Sequence, residues 1–287
     1  MINVTLRKTR KLISTFFSYV LLATLGILWV LPIVYLVYTA FRVTPSTGII
    51  NTLIPTNLRL GFGNFQKLFQ DTLFPRWLWN TFIVSITSCA ITTLFILVVS
   101  YAFSKLRFKL RKPLMNALLV LGMFPGFMSM IAVYFILKAM SLTNSLLALI
   151  LVYSGSAGLS YYICKGFFDT IPKSMGEAAF LDGASQPMVF WRIILPLTKP
   201  IIVYTVLTSF ISPWCDFIFV NTIISDRNLY TVSLGLYKMI NAERSSFNDN
   251  FTVFCAGAMV VGGIIVSVFT SMQRYYVEGV TGGAVKG

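Results

Sequence analysis

Histidine is absent from this chain of 287 residues. Without it, neither a zinc site nor a Cys/His nucleophile pair is expected. Cysteine is scarce as well. Cys89, Cys164, Cys215 and Cys255 lie far apart, in or at the ends of apolar runs, and read as small buried hydrophobes. No GxxxxGK[ST] stretch occurs, so the phosphate-cradling loop of nucleotide hydrolases is missing. Any nucleotide energy must come from another polypeptide. The chain itself is read as non-enzymatic, with no metal and no cofactor of its own. No repeat of fixed period stands out. Charge is also short: 11% of residues are charged, against about 25% in soluble domains. Of these, 9 are acidic and 23 basic.

What fills the chain is apolar. Hydrophobic residues make up 56%, with a mean hydropathy of +0.79. The reading is an all-α polytopic membrane protein of six transmembrane helices. A net charge of +14 would suggest nucleic acid in a soluble protein. Here it fits basic loops facing an anionic leaflet, and no nucleic-acid partner is expected. Spans are placed at about 13–41, 80–104, 113–140, 145–164, 200–224 and 251–271. The first is too long for a signal-peptide core and lacks a small-residue cleavage site, so an uncleaved span is expected. Residues 1–12 form a basic leader to it, and 272–287 a glycine-rich tail. Between the first two spans, Phe62, Phe65, Leu68 and Phe69 share one helical face, as in a helix lying at the interface. Trp77 and Trp79 stand where an aromatic belt would be. In the third span Gly122, Pro125 and Gly126 admit two readings, close helix packing or a bent pore-lining helix. The fourth is rich in small residues from Ser154 to Gly158.

Six spans put both termini on one side, and the basic residues choose it. One face gathers Arg7, Lys8, Arg10 and Lys11, the five cations from Lys105 to Lys112, and Lys165, Lys173, Arg192, Lys199, Arg274 and Lys286. These exceed the basic residues of the other face and lie tight against the spans, which makes their side cytoplasmic. The loop 165–199 is then inside and the segment 225–250 outside.

Within the inner loop, residues 171–200 read IPKSMGEAAFLDGASQPMVFWRIILPLTKP. Pro172 suits a helix start. Met175, Ala178, Ala179 and Leu181 give a helix over 174–181 one apolar face. Gly183 can take the left-handed conformation that ends it. A second apolar segment, 188–195, stops at Pro196. Both helices are too short to cross a bilayer, and such a knob normally docks into something.

This stretch resembles the EAA loop of permease subunits of ATP-binding-cassette importers. The resemblance is carried by Glu177-Ala178-Ala179, Asp182-Gly183-Ala184, Phe190, Leu195-Pro196 and Pro200. PRWLWNTFIVS from Pro75 is similar to carbohydrate permeases of this family. WCDFIF from Trp214 resembles their WNDF element, with Cys215 where Asn is usual. GVTGGAVKG from Gly279 is similar to the tail of the smaller permease subunit of maltose and maltodextrin importers. The resemblance runs from Trp77 onward and is weakest in the first seventy residues.

The resemblance implies a type I importer fold in a bacterial cytoplasmic membrane. It implies a second permease subunit in a heterodimer, two ATPase subunits that carry ATP and Mg, and an extracytoplasmic sugar-binding protein. Glu177, Ala178, Ala179, Asp182, Gly183 and Ala184 would couple to an ATPase. Glu177 would ion-pair in its cleft, while Asp182 and Gly183 would shape the turn. Gly283, Val285, Lys286 and Gly287 would enter the ATPase dimer interface, and the 225–250 segment would reach into the binding protein. The cargo would be maltose or maltodextrin, or else another oligosaccharide or glycerol phosphate. A stand-alone secondary carrier is the reading from another class. Sparse intramembrane carboxylates speak against it, because Asp216 alone lies well inside a span. Asp216 is open to two readings, a packing contact or a place on the pathway.

Overall fold

The computed structural model describes residues 2–43, 59–123, 126–156, 158–241 and 244–284. Among these the chain is helical, apart from loops and an isolated antiparallel bridge between Arg42 and Leu60. Three helices are long and apolar enough to cross a membrane alone, over Ser14–Phe41, Phe74–Lys105 and Asn250–Tyr275. The number rises to six if each of three bent helix pairs is one span.

Two compact units divide the chain: Met1–Asp71 with Ile240–Val260, and Thr72–Met239 with Val261–Gly287. In the first, α1 (Ile2–Phe41) packs on the short α2 (Gly63–Gln70). Asn64 Nδ2 donates to the Ala40 and Arg42 carbonyls, both at 2.9 Å, which satisfies groups orphaned at the end of α1. The Phe41 ring sits 5.0 Å from Phe65 and 5.4 Å from Phe62. Upstream, the apolar side chains of α1 stand exposed, including Leu22, Trp29 and Ile33. That suits a helix whose solvent is lipid.

The second unit is built on α3 (Phe74–Lys105), which packs against α6 (Leu146–Gly155), α7 (Gly158–Asp169) and α11 (Lys199–Cys215). A stripe of small hydroxyl residues explains the contact. Thr81, Ser85, Ser88, Thr92, Ser100 and Ser104 recur at three-, four- and eight-residue spacing and are all buried. Small residues let helix backbones approach where no hydrophobic effect drives them together. Their hydroxyls then reach across: Thr92 to the Tyr153 carbonyl at 3.2 Å and Ser100 to the Tyr161 carbonyl at 3.0 Å.

Where single spans were expected at 113–140 and 145–164, the chain forms helix pairs. α4 (Arg111–Met123) and α5 (Gly126–Ala139) are bent by 104°, and α6 and α7 by 42°. The expected span 200–224 also divides. α11 stops at Cys215 and α12 covers Ile218–Ile223. Asp216 between them is extended, and its Oδ1 accepts the Phe219 N–H at 3.0 Å, drawing the backbone out of the helix to start a new one.

Beyond α12 the segment expected as a polar outer loop holds helix in its described part, including α13 (Val232–Asn241), with Val232, Leu234, Gly235 and Leu236 buried. Trp77 Nε1 donates to the Arg227 carbonyl at 2.8 Å, and Asn80 Nδ2 to the Asn228 and Tyr230 carbonyls. A Cβ on Gly235 would fall 2.1 Å from the Trp77 ring, so only glycine permits this approach. The chain ends in α14 (Arg244–Ala284).

Candidate functional site

The loop after α7 folds as α8 (Lys173–Leu181), α9 (Gln186–Val189), a π-helical turn (Phe190–Ile194) and α10 (Leu195–Leu197). The second segment was expected to stop at Pro196. Instead Pro196 is accommodated after the widened π turn, and the chain bends at Thr198 into α11.

α8 closes in a Schellman motif. Gly183 has φ +85°, its N–H reaches the Phe180 carbonyl at 3.0 Å, and the Ala184 N–H reaches the Ala179 carbonyl at 2.9 Å. Ala184 packs beside Ala179 on the same buried cluster, the apolar contact that accompanies this cap. The expected apolar face of α8 is only partly the buried one. Ala179 is buried, whereas Met175, Ala178 and Leu181 are exposed, Leu181 at 90%. The apolar residues surround the helix too widely for one core, and the outward set is left for another surface.

The inner face of the loop is plugged into the ends of three helices. Ala179, Val189, Phe190 and Ile194 share a cluster with Ile96, Leu97 and Tyr101 of α3, Cys164 and Phe168 of α7 and Ile201 of α11. The Tyr101 ring lies 4.9 Å from Phe190, and its hydroxyl donates to Gln186 Oε1 at 2.9 Å. Ser104 donates to Asp169 Oδ1 at 2.7 Å, Lys165 pairs with the same carboxylate, and Lys105 Nζ donates to the Ile171 carbonyl at 2.7 Å. These polar ties did not emerge from sequence reasoning, which treated α3 as an apolar span. The hydroxyl stripe ending at Ser104 was the available signal.

Glu177 is not part of this cluster. It is exposed and makes no ion pair; among the described residues the Lys165–Asp169 pair is the one salt bridge. It borders a cavity of about 580 Å³ whose lining includes Lys105, Arg107, Arg111 and Lys173. Ala178 and Asp182 are exposed beside it. The structure thus gathers Glu177, Ala178 and Asp182 on an outer surface and gives Ala179, Gly183 and Ala184 to the helix's packing and closure.

Asp216 lies far along the chain, at the break between α11 and α12, and Tyr153 of α6 donates to its Oδ2 at 3.0 Å. Gly283 falls in the last turn of α14, while Val285, Lys286 and Gly287 lie outside the described residues.

Residues 96–276 match the family described as "Binding-protein-dependent transport system inner membrane component". The chain is 32% identical over 285 residues to the galactooligosaccharides transport system permease protein GanQ of Bacillus subtilis (strain 168), covering 98% of each. It is 30% identical over 282 residues to the maltodextrin transport system permease protein MalD of Streptococcus pneumoniae (strain ATCC BAA-255 / R6), again covering 98% of each. Its fold is similar to a chain in the crystal structure of a bacterial ABC transporter involved in the import of the acidic polysaccharide alginate, with a TM-score of 0.78, 21% identity and coverage of 92% and 96%. The match spans more than half of the chain, and both relatives align over nearly their whole length. The chain belongs to the inner-membrane components of binding-protein-dependent transport systems, and is a multi-pass permease of the ATP-binding-cassette importer class, in its carbohydrate branch.

Proposed function

We propose that this chain is one of two unlike permease subunits of an oligosaccharide importer, and that α8 is the element through which ATP hydrolysis on partner subunits moves it. The observation that carries this reading is the two-faced construction of the loop. One side is locked into α3, α7 and α11. The other presents an exposed carboxylate, Glu177, without an ion pair, beside the exposed apolar Met175 and Leu181. A helix built this way passes displacement inward without deforming, because a close-packed core transmits strain. Nucleotide would then bias two arrangements of the pore through different contacts in each, and a binding protein would deliver cargo from outside. Gly283, Val285, Lys286 and Gly287 of the tail are proposed to add a second contact to the ATPase pair.

The cargo proposed first is maltose or maltodextrin, which the tail GVTGGAVKG and the likeness to a maltodextrin permease support. The likeness to a galactooligosaccharide permease at 32% identity favours a second reading, a galactooligosaccharide cargo. Uptake of labelled maltotriose and galactobiose by a deletion strain separates the two; loss of neither would refute both cargo readings. Glu177→Ala tests the coupling. Truncating one partner of a desolvated charge pair costs about 2–5 kcal/mol of docking. Transport should therefore collapse while the variant still inserts and pairs with its companion permease. Full transport by Glu177→Ala would refute the role.

A further inference from the structure

The helix breaks that divide the expected spans border a common space. Gly122 and Gly126 flank the α4–α5 break, Gly155 and Gly158 the α6–α7 break, and Asp216 the α11–α12 break, and all line an open-sided cavity of about 560 Å³. That volume is within the ~300–1,000 Å³ of ordinary small-molecule sites. Interrupting a helix at membrane depth strands backbone N–H and C=O groups. It is tolerated only where protein covers them or where they line a wet cavity. Many secondary transporters build their cargo sites from discontinuous helices in this way.

The polar groups on this cavity have one character. Asp216 uses Oδ1 to accept the Phe219 N–H and Oδ2 to accept the Tyr153 hydroxyl, both at 3.0 Å. A carboxylate has about four lone-pair sites, so each oxygen keeps one to offer. Ser129 and Ser156 spend their own protons on the Gly126 and Val152 carbonyls, at 2.8 and 2.7 Å. Their oxygens are left as acceptors. Ser212 adds another hydroxyl, and Tyr153, Tyr161 and Phe219 add aromatic side chains beside the apolar Leu118, Val133 and Leu159. The described lining includes neither lysine nor arginine. Side-chain acceptors set among apolar and aromatic residues, with no cation in the described lining, suit a ligand rich in O–H donors and carrying no negative charge.

Resting on the carbohydrate reading above, we infer that this cavity is a cargo-contact site for a neutral oligosaccharide, held by Asp216, Tyr153 and the serine hydroxyls, and that it rejects anionic cargo such as uronic-acid polymers or glycerol phosphate. Asp216 accepts from vicinal hydroxyls of a passing sugar ring, and the fixed Tyr153 hydroxyl keeps the carboxylate aimed.

The test uses the complete importer in proteoliposomes: this chain, its companion permease, the ATPase subunits and the binding protein. Asp216→Asn and Tyr153→Phe are compared with wild type for uptake of labelled neutral oligosaccharide and for ATP hydrolysis stimulated by the loaded binding protein. Losing a hydrogen bond to a charged acceptor corresponds to at least about tenfold. Uptake should fall by that factor in Asp216→Asn while stimulated hydrolysis persists, so that cargo moved per ATP drops. In a separate arm, the thiol introduced by Ser156→Cys is labelled in a Cys215→Ser background. Cys89, Cys164 and Cys255 are buried, and Cys215 is the exposed one. Cargo supplied under turnover should slow the labelling, and glycerol 3-phosphate should not. If Asp216→Asn fails to assemble, Tyr153→Phe and the thiol arm decide. Wild-type coupling in both variants together with an unprotected thiol would overturn the site, even with sugar transport intact. A wild-type importer that moves no carbohydrate would overturn the underlying assignment and the site with it.

Discussion

Replacing Gly183 by alanine isolates backbone conformation from packing. A Cβ at this position would meet nothing within 4 Å, so no clash contributes. What remains is φ at +85°. An L-residue in the left-handed region costs about 1–2 kcal/mol, and the stiffer unfolded chain returns about 0.4–1 kcal/mol of that. The net is about 1 kcal/mol, roughly a fivefold increase in how often the end of α8 opens. Amide exchange reads this directly, because the Gly183 and Ala184 N–H groups close the motif on Phe180 and Ala179. Both amides should exchange about fivefold faster in Gly183→Ala, and nearly as in wild type in Gly183→Asn, because asparagine tolerates this region. Gly183→Val should be worst, since a β-branched residue fits there least. Uptake should follow the same order. If Asn proved as damaging as Ala, or if uptake failed while exchange was unchanged, the glycine would act through contact and not through shape.

Three further variants probe the attachment of the loop and of the segment that carries α13. Ala179→Leu forces extra carbons into the cluster with Val189 and Phe190, and overpacking of this kind costs about 1–3 kcal/mol. It should lower the thermal midpoint in detergent, and an unchanged midpoint would mean that α8 is not plugged in. Tyr101→Phe removes the hydroxyl that donates to Gln186, worth about 0.5–1.5 kcal/mol net. A double-mutant cycle with Gln186→Ala should be non-additive by about that amount, whereas strict additivity would deny the contact. Gly235→Ala places a Cβ against the Trp77 ring. It should cost more in the wild type than in a Trp77→Ala background, as read by urea or thermal unfolding, and equal costs would refute the clash.

Legibility in the sequence followed physical range. The end of α8 was readable because a left-handed cap is local: Gly183 after an apolar helix is enough to propose it. Long helices such as α1 and α3 were readable because twenty apolar residues have few other destinations. The breaks were not. Hydropathy averages over a window, so Asp216 among apolar neighbours lowers the mean slightly and leaves the span apparently whole. The event that divides it is a single side-chain acceptor taking the Phe219 N–H. For the same reason, Gly122 and Gly126 left packing and bending both open. Which face of α8 would be buried was misread because period alone marks a stripe without saying what will cover it. Ala179 and the exposed Ala178 are adjacent and chemically identical. Their different fates depend on the distant residues of α3, α7 and α11.

Those tertiary contacts also explain why the loop and the cavity occur on one helix. α11 begins directly after the loop, with Ile201 in the loop's cluster, and ends at Cys215 beside Asp216 on the cavity. Its 17 residues span about 25 Å at 1.5 Å per residue. Pro213 removes one donor from the ladder near its end; up to that point a helix of this length tilts more readily than it bends, so under the proposed coupling a rotation imposed near Thr198 would be carried towards Asp216. The tie from α6 through Tyr153 means that such a rotation cannot leave the cavity unchanged. It must either carry Tyr153 along or break the 3.0 Å bond to the carboxylate. Either outcome alters the acceptors a sugar would meet. On the proposed reading, α11 would link the coupling loop that precedes it to the acceptors at Asp216 that follow it.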